Sequence, residues 1–128
     1  MENYNKWFFR IAGIVTAIGA LPSMLAPHKG TLLAFGIDIS SLPVVSPLIG
    51  HWGVMVVGIG VLLFLSASNK NLRLPIVWYS NLEKSYMVLV GIFTYIDNPE
   101  TGQYYLLPIV IDSLLVIGGI VYLVNRKK

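Results

Sequence analysis

The chain has 128 residues, enough for one domain, and no cysteine, which removes disulfides, thiol redox chemistry, cysteine-ligated zinc and iron–sulfur clusters together. Apolar residues make up 55% of it and charged residues only 12%, about half the charged share of a soluble domain, so the composition points to a membrane protein. The net charge of +3 sits at the ends of apolar segments and not on a basic patch interleaved with aromatics, which argues against nucleic acid as a partner and for membrane orientation.

The first apolar segment covers 7–25, follows Lys6 and carries Arg10. A basic stretch before an apolar run resembles a signal peptide, but this run is longer than a usual h-region and Ala26-Pro27 is a poor place to cut. It reads as a retained transmembrane helix. Ala12, Thr16 and Ala20 recur every four residues and form a small-residue stripe that lets another helix approach. Pro22 frees the carbonyl of Ile18 and predicts a kink near the outer end. The connection over 26–46 is too long to be structureless. Within it Thr31-Leu32-Leu33-Ala34-Phe35-Gly36, preceded by His28 and Lys29, predicts a short interfacial helix with a glycine stop.

The second span, 47–67, opens at Ser46-Pro47, a serine cap followed by proline in the first turn. His51 and Trp52 lie within about a turn of its start, and Gly50, Gly53, Gly58 and Gly60 allow close backbone approach. A turn over 68–74 carries Lys70 and Arg73. The third span raises the central problem. Its apolar part, Met87 to Ile96, is too short to cross a bilayer, which takes about 20 residues. The span must therefore be 75–96 and carry Asn81, Glu83 and Lys84 inside. Glu83 then lies roughly 12 Å in from Pro75, near mid-depth, where an ionisable side chain costs on the order of 2.5–3.5 kcal/mol. The turn Asp97-Asn98-Pro99-Glu100-Thr101-Gly102 is acidic and rich in breakers. Tyr104 and Tyr105 precede the fourth span, 106–124, which has Pro108 in its first turn, Asp112 about 9 Å deep and a basic tail of Arg126, Lys127 and Lys128.

Of the nine Lys and Arg residues, Lys6, Arg10, Lys70, Arg73, Arg126, Lys127 and Lys128 fall on one side, Lys29 on the other, and Lys84 inside a span. That bias predicts both termini on the cytoplasmic side. Trp7 and Trp78 then mark the inner interface, and Trp52, Tyr95, Tyr104 and Tyr105 the outer one. The expected fold is an all-α integral membrane protein: an antiparallel four-helix transmembrane bundle forming a single domain over 1–128, with a short interfacial helix between spans one and two. No internal repeat or low-complexity segment interrupts it.

Glu83 has Tyr79 at i−4, Tyr86 at i+3 and Met87 at i+4, so one helical face presents a carboxylate between two phenols. Lys84 points about 100° away and is not expected to pair with Glu83 through adjacency alone. Two readings stay open. In one, Glu83 is part of a structural polar knot, bonded to a hydroxyl or to Arg10, while Lys84 stretches to an interface. In the other, the buried carboxylate is an acid/base or a ligand anchor. Asp112 is either a carboxylate at the headgroup boundary near Tyr104 and Tyr105, or the partner of His51, whose level differs by about one turn. A His–Asp pair would fix the imidazole tautomer and could pass protons; a lone His51 would be an interfacial hydrogen-bonder. No metal site is expected, since one histidine and one carboxylate are too few ligands. Gly58-Ile59-Gly60 follows no strand and is no nucleotide fingerprint.

With these residues in hand, the chain resembles the DoxX-like group of small four-helix membrane proteins, BphX-like members included. The likeness is carried by an order of features: Pro27 after the first span, the loop Leu33-Ala34-Phe35-Gly36, a second span opening Gly50-His51-Trp52-Gly53, a turn over 69–73, and Leu82-Glu83-Lys84 in the third span. The group has no agreed catalytic positions, so none is carried over. Some relatives are linked to quinone-coupled sulfur oxidation, which implies a lipid-soluble ligand of the quinone or isoprenoid type. The expected function is therefore binding of an apolar small molecule in the bundle, in an accessory role, with Tyr79, Asn81, Glu83 and Tyr86 lining the site and His51, Trp52 and Asp112 at its outer rim. The alternatives are a membrane-embedded isomerase or cyclase using Glu83 as acid/base, and a small proton-coupled transporter. No cofactor is expected; the bilayer is the expected partner, a homo-oligomer is compatible with the sequence, and the expected location is a bacterial cytoplasmic (inner) membrane.

Overall fold

A chain this apolar satisfies its backbone most readily within helices, where every N–H finds a carbonyl in the same segment. The computed structural model describes residues 2–126 and contains helices and no strand among them. In chain order they are α1 (Glu2–Leu25), α2 (Pro27–Phe35), α3 (Ser46–Ser66), α4 (Lys70–Asp97), α5 (Pro99–Gly102) and α6 (Leu106–Asn125), with 3-10 turns at Pro43–Val45 and Gln103–Tyr105. Three stretches are long and apolar enough to cross a membrane: Glu2–Leu25, Pro43–Ser66 and Pro99–Asn125. α4, with Asn81, Glu83 and Lys84 at its middle, has 28 residues but is not among them. The tail residues Lys127 and Lys128, counted above for orientation, lie outside the described residues. The chain divides after Asn69 into two compact units.

In the first unit α1 and α3 run antiparallel, with Gly13 against Gly60 and Phe64 and Gly53 against Met24. The approach is close: a Cβ at Gly60 would stand 2.6 Å from the Ala17 nitrogen and 2.8 Å from the Gly13 oxygen. Ala12, Thr16 and Ala20, the small-residue stripe, are buried. α1 stays helical through Pro22 to Leu25. α2 begins at Pro27, earlier than the sequence suggested, because proline suits the first helical position. It stops where expected: Gly36 adopts φ 71° and its N–H bonds to the Leu32 carbonyl at 2.9 Å. Only glycine takes that left-handed conformation without cost. The Phe35 and Trp52 rings, 5.8 Å apart, tie α2 to α3. Ser46 does not cap α3. It already has helical dihedrals (φ −55°, ψ −48°), whereas a capping residue sits outside the helix; the preceding 3-10 turn runs straight into it.

In the second unit α4 and α6 form an antiparallel hairpin, with Gly91 against Ile109 and Tyr105, and Asn81 against Gly119 and Val116. The connection is built as its residues dictate: the Asn98 side chain accepts the Thr101 N–H at 3.1 Å, Pro99 takes the first helical position, and Gly102 lets the chain fold against Tyr95. α4 starts at Lys70 and continues through Pro75, so Arg73 is a buried helical residue and not part of a loop. Its buried positions are Arg73, Ile76, Val77, Ser80, Lys84 and Gly91; apart from the adjacent pair Ile76 and Val77 they follow one another at intervals of three, four or seven, on one stripe.

Candidate functional site

Lys84 lies on that stripe, midway along α4, with 4% of its side chain exposed. Asp112 lies midway along the Pro99–Asn125 stretch of the opposing arm. The antiparallel pairing brings the two level, and Lys84 Nζ donates to Asp112 Oδ1 at 3.2 Å. Glu83 Oε2 stands 3.6 Å from the same ammonium, within ion-pair range but beyond a hydrogen bond. The result is a triad of one ammonium between two carboxylates. Glu83 Oε2 is buried and accepts no hydrogen bond, while 27% of the Glu83 side chain remains open. One turn away, Asn81 turns into the hairpin; its Nδ2 faces the Val116 carbonyl at 3.5 Å and its amide fills the space left by the missing side chain of Gly119.

This arrangement revises several expectations. Lys84 does not stretch to an interface; it turns inward and is shared by Glu83 and Asp112. The 100° between neighbouring residues is overcome because a four-carbon stem can bend toward a strong partner on another helix. Asp112 takes Lys84 as its partner in place of His51, and it is not at the outer end of its helical arm, because α5 and the 3-10 turn lengthen that arm on the Tyr104–Tyr105 side. Tyr79 and Tyr86 do flank Glu83 along α4, but the two residues are 49% and 70% exposed, so they face outward and not into the hairpin. Arg10, more than two turns inside α1, is exposed and lies over the Trp7 ring, 5.9 Å from its centroid. His51 is exposed on α3 and Trp52 packs on Phe35; both belong to the first unit.

Lys84 is the residue that reading Glu83 alone passes over. The signal for it is the stripe spacing from Val77 through Ser80 to Lys84 and Gly91, which aligns it with apolar and small residues that must be buried.

A second polar cluster lies outside the candidate spans. Asp38 Oδ1 accepts the Ser40 N–H at 2.8 Å and stands 3.4 Å from His28 Nε2, an Asx-type turn closing the loop after α2. The hydrogen bond from the Ser40 backbone, then that from its side chain, holds the Asp38 carboxyl below its ordinary range, with the His28 charge acting in the same sense. No group of three or more metal-binding side chains occurs among the described residues.

Comparison with protein-family profiles, with curated proteins and with solved structures finds nothing that matches this chain.

Proposed function

We propose that this is an integral membrane protein of the bacterial cytoplasmic membrane in which α4 crosses the bilayer as a fourth span, and that the triad anchors a lipid-soluble small molecule. At about 1.5 Å per residue the 28 residues of α4 exceed the length a span needs. The ammonium at its middle is neutralised by carboxylates on its own hairpin, as intramembrane charges generally are. With four spans the antiparallel bundle has both ends cytoplasmic, in keeping with the lysine and arginine bias. The ligand type is that implied by the DoxX-like resemblance, a quinone- or isoprenoid-like molecule with a polar head.

The single observation that carries the ligand reading is Glu83 Oε2. A buried carboxylate oxygen normally accepts one or more hydrogen bonds, and leaving it without one is costly. Here the oxygen is buried and accepts no hydrogen bond, with the Lys84 ammonium 3.6 Å away, while 27% of the Glu83 side chain itself is open. It suits the hydroxyl of a quinol or of an isoprenoid alcohol, since a quinone in its oxidised form carries only acceptors. A purely structural knot would fill its acceptors from within the hairpin. Native mass spectrometry of the protein released from mild detergent tests this: a retained small molecule is expected with the wild type and lost with Glu83→Gln. A bare mass for the wild type across several detergents, with Glu83→Gln equally stable, would reject the site.

A further inference from the structure

The triad does not balance its own charge. Two carboxylates surround one ammonium, so the formal sum is one negative charge. The Lys84 ammonium is within ion-pair range of both, 3.2 Å from Asp112 and 3.6 Å from Glu83. Lys84 gives its hydrogen bond to Asp112, which leaves Glu83 as the under-compensated member, with Oε2 unbonded. Low-dielectric surroundings make such an imbalance expensive; it is relieved by a proton on one carboxylate or by a positive charge placed beside the partly exposed Glu83 side chain.

The outer face of α4 is equipped to hold one. Exposed Tyr79 and Tyr86 stand one turn before and after Glu83, and Leu82 and Leu89 line the same outward surface, 72% and 55% exposed. Aromatic faces attract cations, and exposed aliphatic side chains suit an apolar body lying along the helix. We propose, building on the reading of Glu83 as a ligand anchor, that the ligand is a lipophilic monocation: an alkylammonium-type head against Glu83, flanked by Tyr79 and Tyr86, with its apolar body along Leu82 and Leu89. A neutral alcohol satisfies the hydrogen bond but not the charge. An anion satisfies neither.

The test uses the full chain in nonionic micelles, titrated calorimetrically with dodecylammonium and with dodecanol, protein-free micelles being subtracted. The expected result is one saturable site that prefers the cation by about tenfold or more, as a charge-assisted contact should over a neutral one. Glu83→Gln and Asp112→Asn each bring the triad to formal neutrality, so each abolishes that preference; Asp112→Asn decides the matter if Glu83→Gln fails to fold. Equal affinity for alcohol and cation, or a preference unchanged in both variants, overturns the cation while the ligand site stands. No saturable binding of either probe to the wild type overturns both.

Discussion

Lys84 is the residue whose loss should be felt most. Replacing it by methionine keeps an unbranched apolar stem and deletes the ammonium. At 3.2 Å from Asp112, the pair attracts by about 5 kcal/mol for an effective dielectric of about 20. Glu83 at 3.6 Å adds an attraction of similar size, about 4.6 kcal/mol on the same footing. Most of this is consumed in taking a nearly inaccessible ammonium out of water, so the gross attraction is not the contribution to stability. What the substitution leaves behind is decisive: two carboxylates facing each other without a cation. Removing one partner of a buried pair costs about 3–5 kcal/mol. The lower end applies here, because 15% of the Asp112 side chain and 27% of that of Glu83 remain open. Asp112→Asn alone keeps a hydrogen-bond acceptor for Lys84 and should cost about 1–2 kcal/mol. In the Lys84→Met background the same change removes a repulsion and should cost close to nothing, giving a coupling energy of about 1–2 kcal/mol. Reversible unfolding of all four proteins in mixed micelles, followed by far-ultraviolet circular dichroism, measures this cycle. If Asp112→Asn costs as much without Lys84 as with it, the triad is not an energetic unit and the reasoning fails.

The α1–α3 contact gives a matched pair: Gly60→Ala places a methyl against the Ala17 and Gly13 backbones and should destabilise by about 1–3 kcal/mol, whereas Gly58→Ala, with nothing within 4 Å, should be nearly neutral in the same unfolding assay. Gly36→Ala forces a side chain into φ 71° and should lower stability by about 1 kcal/mol, while Gly19→Ala, in open space, should not. The loop after α2 should respond to acid. Asp38 has a depressed folded-state pKa, so its contribution is fully present above the unfolded value and lost as pH falls through the folded one. The protection of the Ser40 amide against hydrogen exchange, relative to its intrinsic rate at each pH, should therefore fall below about pH 4, and Asp38→Ala should show little protection at any pH; a protected Ser40 amide in that variant would contradict the turn.

Much of the helical layout is written locally. Hydropathy and breakers located all four long helices to within a few residues, and Gly36 marked the end of a short helix; α2 opens earlier than expected, at Pro27, and the breaker-rich turn after Asp97 closes into the short helix α5. Two prolines act differently from what their local sequence predicts. Pro75 sits inside α4, which moved Arg73 from a loop into a buried position, and Pro43 opened a 3-10 turn that took the capping role away from Ser46. The stripe Ala12, Thr16 and Ala20 was legible because small residues at helical spacing predict close packing whatever the neighbour is.

The site was legible only in part. Composition and helix length are sums over nearby residues, so a helical, membrane-type chain with an acid stranded at the middle of α4 follows from the order of amino acids alone. Which groups meet that acid does not. Lys84 and Asp112 are 28 positions apart, and they come level only because the α4–α6 turn, lengthened by α5, sets the offset between two antiparallel helices. The tertiary structure decided that the ammonium turns inward, that Asp112 and not a tyrosine shares the hairpin with Glu83, and that Tyr79 and Tyr86 face outward. Long flexible side chains take their direction from partners on other helices, and only the packing of those helices supplies the partners.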